Sequence, residues 1–560
     1  MKKILLHLII MSLTLLLVAC GGGGGDSSSS STPSTPSTTS ANALPNDCLI
    51  GGTTNPSTYS GSGVGVCQYS NTTASSKLIN LAINGVSSTN TVTLLFSNGS
   101  TSDQVSLSAG TASPNINPNY AKAVVASAEP ETDEAKSKRL KDEFHENVLK
   151  QNEEIARNLL KARDQSSAKS FYGDLIPQPS SPLASPAIGT ARVWIDTFTN
   201  SVINYSTTAQ KICSLPNGRN IVFWADSASL AGNYISSASI TSLSNAVCGQ
   251  DGGFDRLTTL LGDVWGTHNY SNLILDSAKQ DINIVIVKPT ARPAWAGYYG
   301  SINSYTNYTT SNQALVFFTS AYTLNQDINY MLSTLVHEAT HMINFYQRVV
   351  ARGAVHDVWL DETSAMMSED VVAASFIKNS DGSVYNLMQI QEIPNYLATG
   401  GNFSYTNWQY LTGSSYAIGG SFGAYLNRNY GTAIMTGLIN SCPGSTAGSS
   451  YPCMEKLIQT NGGGGFSEDF ARMGASVFGL LPSSGLPSGY GFPAKTAGKY
   501  SLVPIDLSTK TAPSTTPSNG STILSTSHAY KRDGISVGKN SWSRTGVVVP
   551  ANTSVKVVVR

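Results

Sequence analysis

Two histidines and a glutamate stand at a spacing that suits metal-dependent hydrolysis. The segment 331–345 reads MLSTLVHEATHMINF and contains His337 and His341 four positions apart. On a helix such residues lie on one face about one turn apart, so both imidazoles can reach one ion. Glu338 follows the first histidine directly, so its carboxylate can touch a water at that ion. This His-Glu-x-x-His pattern is typical of zinc hydrolases and predicts that Glu338 is catalytic.

The residues around this motif favour a helix packed between other elements. Apolar side chains recur at steps of three and four positions, as on a buried helical face. They are Leu332, Leu335, Val336, Ala339, Met342 and Ile343. The alternative is a surface helix that carries two histidines by chance. Only seven histidines occur in the chain, and two of them stand at the required spacing beside a glutamate.

A zinc hydrolase needs a third protein ligand and an open position for water. The ligand should be a carboxylate or an imidazole further along the chain. The stretch 359–370 reads WLDETSAMMSED, has a helical pattern and places Glu362 twenty-one positions after His341. We therefore predict Zn²⁺ as the cofactor, held by His337, His341 and Glu362.

At these residues the sequence resembles the gluzincin metallopeptidases, the superfamily of thermolysin and the zinc aminopeptidases. The run from Leu335 to Asp370 is most similar to the hyicolysin-type neutral zinc metallopeptidases of bacteria, within a broader resemblance over Asp281 to Phe478. The resemblance implies an α+β fold with a thermolysin-like catalytic unit. That unit has a β-sheet upper lobe, a zinc helix and a helical lower lobe.

The same resemblance implies roles for residues beyond the zinc ligands. Tyr416 begins a Tyr-x-x-Gly pattern similar to that of zinc aminopeptidases, whose tyrosine donates a hydrogen bond to the developing oxyanion. Glu369, seven residues after Glu362, matches the carboxylate that orients a zinc-bound histidine in those enzymes. Met366 replaces the aspartate of the thermolysin pattern, so we expect it to pack. Asp361 replaces a frequent asparagine, which leaves its substrate contact open.

Some of these roles have alternatives. The chain has 25 tyrosines, so Tyr416 could be a packed aromatic residue. His356 and His528 are lesser candidates for the same oxyanion task, and either could be a surface histidine. By resemblance, the strand-like segment 312–318 could bind peptide by strand addition. An ordinary core strand is the alternative for that segment.

The charge balance of the chain excludes some classes of partner. The 560 residues allow two to four domains and an ample core. Lys plus Arg equal Asp plus Glu at 35 each, so no global field points to nucleic acid or to anionic lipid. We therefore expect no nucleic-acid partner, and the metallopeptidase resemblance implies protein or peptide substrates.

The N-terminus predicts export and lipidation. Lys2 and Lys3 precede a mostly apolar run over 4–19, as in a secretory signal. The end of the run, Leu-Val-Ala-Cys20, resembles the bacterial lipobox, which implies that Cys20 becomes the lipidated N-terminus. A single membrane-spanning anchor is the alternative. We expect an exported lipoprotein of the cell envelope, at the outer membrane or cell surface, held to the membrane by its lipid anchor only.

The remaining six cysteines suit an oxidising compartment. Six thiols allow fifteen pairings, and proximity in the chain favours Cys48 with Cys67, Cys213 with Cys248 and Cys442 with Cys453.

Composition and pattern divide the chain into six segments. The charged stretch within 131–163 could be part of a pro-segment, a spacer or a solvated amphipathic helix. The segments are a signal peptide (1–20), a flexible tether (21–45), an N-terminal β module (46–115), a charged helix with a linker (116–186), the zinc metallopeptidase domain (187–498) and a C-terminal β module (499–560).

These observations predict a zinc-dependent metalloendopeptidase that hydrolyses peptide bonds in proteins. The Gly-x-Met-Glu-Asn signature by which zinc aminopeptidases clamp a free amine is missing upstream of the zinc helix. An aminopeptidase remains one alternative. A non-catalytic surface adhesin on a peptidase scaffold is another, as is a β-sandwich binding protein with a fortuitous motif.

Overall fold

The structure is a computed structural model, and it describes ten stretches of the chain. These are 58–117, 133–166, 185–198, 202–231, 234–270, 272–288, 295–408, 413–442, 450–512 and 521–560. The predicted signal peptide, the tether and Cys20 lie outside the described residues. Among the residues that are described, no helix is both long enough and apolar enough to cross a membrane.

Helices and strands alternate in blocks along the chain, which confirms the predicted α+β class. The strands are β1 Gly65–Asn71, β2 Lys77–Asn84, β3 Thr91–Asn98, β4 Val105–Leu107, β5 Thr111–Ala112, β6 Ile116–Asn117, β7 Ala191–Asp196, β8 Ile203–Ser214, β9 Asn220–Asp226, β10 Ile282–Val287, β11 Gly297–Tyr299, β12 Leu315–Ser320, β13 Lys495–Ala497, β14 Tyr500–Leu502, β15 Ser521–Ile523, β16 Ser527–Ile535, β17 Ser541–Val549 and β18 Thr553–Val559. The α-helices are α1 Asp133–Ser166, α2 Ser227–Leu230, α3 Ser237–Val247, α4 Gly253–Leu261, α5 Ala321–Gln326, α6 Ile328–Asn344, α7 Val358–Ser368, α8 Ala374–Phe376, α9 Ile393–Thr399, α10 Ser414–Tyr430, α11 Ala433–Asn440, α12 Ser450–Thr460 and α13 Phe466–Phe478. A 3₁₀ turn covers Ser301–Ser304, and π-helical turns cover Phe345–Val350, Glu369–Ala373 and Met388–Glu392.

A six-stranded sheet supports the helix that carries the histidine motif. Its strand order is β11-β12-β10-β9-β8-β7. β9, β10 and β12 run parallel, and β11, β8 and β7 are antiparallel to their neighbours. Every residue of β10, with the sequence INIVIV, is buried, as expected for a strand covered on both faces. α6 packs against β11 and β12.

The prediction that segment 312–318 binds peptide by strand addition is wrong, because its strand is not at a free edge of the sheet. β12 pairs with β11 on one side and with β10 on the other, so the core-strand alternative is correct. β11 is the outermost strand at this side of the sheet. An extended peptide adds to an outer strand because only there do backbone groups lack a neighbouring strand.

The predicted N- and C-terminal β modules are not separate, because their strands interleave. One sheet has the order β1-β18-β3-β16-β6 and another the order β2-β17-β5. Segment 46–115 therefore contributes strands that segment 499–560 completes. β3 is buried along its whole length, so the hydrogen bonds of its backbone require a strand on each side. Both neighbours, β16 and β18, come from the C-terminal end of the chain.

The charged helix α1 packs on the catalytic part of the molecule and is not merely a solvated helix. Phe144, Val148, Ile155 and Leu159 are buried in the main hydrophobic core. Their steps of four and seven positions place them on one face of the helix. The opposite face of α1 carries exposed residues such as Asn158.

Two of the predicted disulfides are confirmed. Cys213 bonds to Cys248, and Cys442 bonds to Cys453. Cys67 is fully buried in the terminal sheets, and its predicted partner Cys48 lies outside the described residues.

Candidate metal centre

α6 brings the two motif histidines to one side of a buried helix. The helix begins after Asp327, whose side chain caps it by accepting hydrogen bonds from the backbone N–H groups of Asn329 and Tyr330. The imidazole rings of His337 and His341 lie one turn apart, with centroids separated by 4.8 Å. The structure thus confirms the predicted helix and places both rings side by side.

α7 brings a carboxylate between these rings. Glu362 Oε2 lies 3.2 Å from His337 Nε2, and its Oε1 lies 3.4 Å from His341 Nε2. One ligand atom from each of the three residues lies within 4.8 Å of the others. The predicted ligand set therefore converges on one point, although Glu362 is distant from the histidines in the chain.

Two further carboxylates orient the imidazoles. His337 Nδ1 lies 2.7 Å from Glu369 Oε1, and His341 Nδ1 lies 2.7 Å from Asp361 Oδ2. With a proton on Nδ1, each ring donates to its carboxylate and leaves the Nε2 lone pair facing Glu362. Metal-binding histidines use this arrangement, which fixes the tautomer and the ring orientation. The donor set of two Nε2 atoms and one carboxylate fits zinc.

The carboxylates are themselves held by hydrogen bonds. Ser333 Oγ donates to Glu369 Oε2 at 2.6 Å, and Asn344 Nδ2 donates to Asp361 Oδ1 at 2.6 Å. The sequence predicted the position of Glu369 but left the contact of Asp361 open. Each zinc-bound histidine needs an acceptor for its second nitrogen, and that requirement is the signal that could have assigned Asp361.

The carboxylates around His337 and His341 favour a positive charge between the two rings. Burial lowers the pKa of His341, but the Asp361 and Glu362 carboxylates outweigh it and raise this pKa to about 9. For His337, burial again lowers the pKa, and hydrogen bonds to Glu362 and Glu369 raise it well above the usual value. The carboxylates around the two rings therefore provide a site suited to a cation.

Glu338 lies on the same helix and contacts the edge strand. Its side chain is buried, and Oε2 accepts a hydrogen bond from the backbone N–H of Tyr299 at 2.8 Å. Burial raises the pKa of Glu338, although the neighbouring histidines counteract part of this effect. A carboxylate with increased proton affinity, held beside two histidines, is suited to general acid–base catalysis.

Tyr416 lies on α10, the helix that packs against α7. Its ring meets the ring of Trp408 edge to face, with centroids 5.0 Å apart. α10 approaches α7 closely because Gly419 has no side chain: a Cβ there would lie 2.7 Å from Met366 Cε. Met366 is buried in this contact, in agreement with its predicted packing role. The oxyanion role of Tyr416 remains a prediction.

The two lesser histidine candidates lie in different surroundings. His528 is fully buried, and its ring nitrogens face Tyr396 Oη at 2.6 Å and the Phe470 carbonyl oxygen at 3.0 Å, which indicates a packing role. His356 lines a cavity that His341 and Asp361 also line. Burial lowers the pKa of His356 to about 3, with a smaller contribution from Arg348, so this histidine is neutral.

A known protein family matches most of the chain. Residues 202–560 match the family model described as Peptidase M30, which is more than half of the sequence. The chain belongs to the Peptidase M30 family. The M30 region includes β8–β18 and both helices of the candidate metal centre, so the predicted peptidase class is confirmed at family level. Residues 46–108 match a domain of unknown function, DUF8571. The comparison with curated proteins found no match.

Solved structures similar to this M30 chain are distant. One is an M1 zinc metallopeptidase from Deinococcus radiodurans, with 11% identity and a TM-score of 0.31, covering 55% of this chain and 64% of that chain. Another is a two-domain M1 zinc metallopeptidase mutant bound to L-tryptophan, with 12% identity and a TM-score of 0.30, covering 54% and 63%. The chain thus spans less than two thirds of each. The family match, and not these similarities, supports the assignment.

The Glu369 contact predicts a measurable loss of metal affinity. A Glu369→Gln change should weaken zinc binding about ten- to a hundredfold, because an amide holds the Nδ1 proton of His337 less strongly than a carboxylate. Competition with a chromophoric zinc indicator measures the affinity. Glu154→Gln, on the exposed face of α1, is the matched control. Unchanged affinity in Glu369→Gln would show that this carboxylate does not support the metal centre.

Proposed function

We propose that this M30 chain is an exported, lipid-anchored zinc metalloendopeptidase that hydrolyses peptide bonds in proteins. The observation that supports the proposal is the convergence of His337, His341 and Glu362 on one point, beside the carboxylate of Glu338. A surface helix with two histidines would bring no distant carboxylate to both rings. A fortuitous motif on a binding protein would not hold each ring by a second carboxylate either.

In the proposed mechanism the three converging side chains hold zinc. When bound, zinc would supply Lewis-acid polarisation of the scissile carbonyl and lower the pKa of a water at the site. Glu338 accepts the proton of the attacking water and then delivers it to the leaving amine. The Tyr299 N–H group holds the Glu338 carboxylate at 2.8 Å, so the general base is oriented before substrate arrives.

The substrate backbone is proposed to bind along β11. This strand is one of the two outer strands of the six-stranded sheet, and its Tyr299 already contacts the general base. An extended peptide that pairs with β11 would pass directly beside Glu338. Tyr416 is proposed to donate a hydrogen bond to the oxyanion that forms during attack.

We further propose a peptidase type, a lobe arrangement and a cellular location. The ligand spacing and the arrangement of Glu369 support a gluzincin of the hyicolysin type, with a thermolysin-like division into a sheet-containing upper lobe and a helical lower lobe. The basic start, the apolar run and Cys20 support export and lipidation, with the mature protein in the cell envelope at the outer membrane or cell surface. Its partners are protein or peptide substrates and, through the lipid alone, a membrane. The balanced charge supports no nucleic-acid role.

Removal of the general base tests the mechanism. Glu338→Gln should lower casein hydrolysis about a hundredfold to ten-thousandfold, since the amide cannot accept the proton of water. Zinc content, measured by atomic absorption, should stay at the wild-type level. A chelator should abolish the activity of the wild type, and added zinc should restore it. Equal casein hydrolysis by wild type and Glu338→Gln would exclude the proposed mechanism, whereas a matched Glu154→Gln variant should behave as the wild type.

Removal of one hydroxyl tests the oxyanion role. Tyr416→Phe should lower kcat about a hundredfold to a thousandfold with little change in KM, because the lost hydrogen bond forms only in the transition state. Steady-state kinetics on a fluorogenic peptide measure both constants. Wild-type kcat in Tyr416→Phe would assign the ring to packing against Trp408, and His356→Ala should then be measured in the same assay.

Blocked substrates separate the endopeptidase from the aminopeptidase alternative. We expect N-acetylated and free peptides of the same sequence to be cleaved at internal bonds at equal rates, because no clamp for a free amine was found in the sequence. Mass spectrometry of the products locates the cleaved bonds. Stepwise removal of N-terminal residues from the free peptide alone would favour an aminopeptidase. A zinc-loaded protein that cleaves neither peptide would favour the adhesin.

A further inference from the structure

The side chain of Asn152 on α1 is hydrogen-bonded to the end of the edge strand β11. Its Nδ2 donates to the Tyr299 carbonyl oxygen at 2.9 Å, and its Oδ1 accepts from the Ser301 backbone N–H at 2.8 Å. The Ser301 hydroxyl also donates to Oδ1, at 3.0 Å. One carboxamide therefore satisfies a carbonyl and an amide of the main chain at the same time.

These are main-chain groups that an added peptide strand would use. β11 is in register with β12 at Gly297, Tyr298 and Tyr299. Both main-chain groups of Tyr299 also have partners outside the sheet. Its N–H group donates to Glu338 and its carbonyl accepts from Asn152. A carboxamide has the same donor and acceptor as a peptide bond. Asn152 thus stands where the backbone of a bound peptide would form its hydrogen bonds.

The rest of α1 covers the same face of the site. The Phe144 ring lies 5.1 Å from the Tyr298 ring and 5.8 Å from the Trp295 ring, centroid to centroid. Leu149, Asn152, Glu153 and Ala156 line the cavity that also contains His341 and Asp361. The side chain of His341 is only 8% exposed and that of Glu362 only 2%. A polypeptide that used the Tyr299 carbonyl would have to displace the Asn152 side chain.

α1 lies outside the region that matches the family model. It spans Asp133–Ser166 and so precedes the region 202–560 that matches Peptidase M30. The strands and helices that build the metal centre all lie within that region.

We propose that α1 is an autoinhibitory segment that competes with substrate for the outer edge of β11. The proposal rests on the proposed peptidase function and adds a regulatory element to it. Asn152 acts as the peptide mimic, and Phe144 anchors the helix on the aromatic side chains next to β11. A substrate binds only to the fraction of molecules in which α1 has left the edge.

An intramolecular competitor has a defined kinetic signature. It multiplies the apparent Kd and KM by the inverse of the open fraction and leaves kcat unchanged, because the chemistry occurs only in the open molecule. A helix that merely stabilised the fold would behave differently: weakening its contacts would lower the unfolding temperature and either lower kcat or change nothing.

The test compares two asparagines on the same helix. Asn152→Ala removes the mimic, and Asn158→Ala changes an exposed position of α1. We expect Asn152→Ala to lower KM for a fluorogenic casein peptide about fivefold or more at unchanged kcat, and Asn158→Ala to match the wild type. Phe144→Ala should shift KM in the same direction as Asn152→Ala. Unchanged or raised KM in both Asn152→Ala and Phe144→Ala would overturn the proposal.

A binding measurement separates this inference from the proposed function. In a Glu338→Gln background, fluorescence anisotropy gives the Kd of a fluorescein-labelled casein peptide with and without Asn152→Ala. Tighter binding with Asn152→Ala supports autoinhibition even if no variant hydrolyses casein, a result that would overturn the peptidase alone. Zinc-dependent hydrolysis with an unchanged Kd would overturn autoinhibition alone. No peptide binding in any variant, together with no hydrolysis, would overturn both.

Discussion

The packing of α7 against α6 is the contact on which the candidate site depends. It places Glu362 against the Nε2 atoms of both histidines and puts Asp361 and Glu369 at their Nδ1 atoms. Glu362 and Glu369 are buried, and a buried carboxylate without a partner would cost several kcal/mol. The imidazoles that face these two acids offset that cost. The histidine–carboxylate contacts therefore form only when the two helices pack together, and they in turn hold that packing in place.

The elements around these helices keep this contact in place. α10 fits against α7 at Gly419, and beyond α7 a fully buried ion pair links Asp370 to Arg428, with N–O distances of 2.7 and 2.9 Å. On the other side, the six-stranded sheet supports α6 and presents the Tyr299 N–H group to Glu338. Because the centre is clamped from both sides, its groups need little rearrangement to bind a metal, which is the preorganisation that catalytic sites require.

The chain ends contribute to the same molecule in different ways. The N-terminal strands are completed by strands more than four hundred residues later, as in the pairing of β1 with β18, and α13 packs on β3 and β18. α1 instead packs on the catalytic region, where Asn152 bonds to the end of the outer strand β11 and other α1 side chains join the main hydrophobic core. The terminal strands complete sheets through backbone pairing, whereas α1 is held by side-chain packing and a few hydrogen bonds.

Residue order alone was enough for the motif, its helix, the carboxylate that meets both histidines and two of the disulfides. The four-residue step from His337 to His341 matches the helical repeat, so neighbours in sequence become neighbours in space without help from the rest of the chain. The interior place of β12, the partnership of Asp361 with His341 and the contact of Asn152 with Tyr299 were decided by tertiary structure. Each of them depends on which distant elements pack together. An apolar sequence pattern does not distinguish a strand in the middle of a sheet from one at its edge.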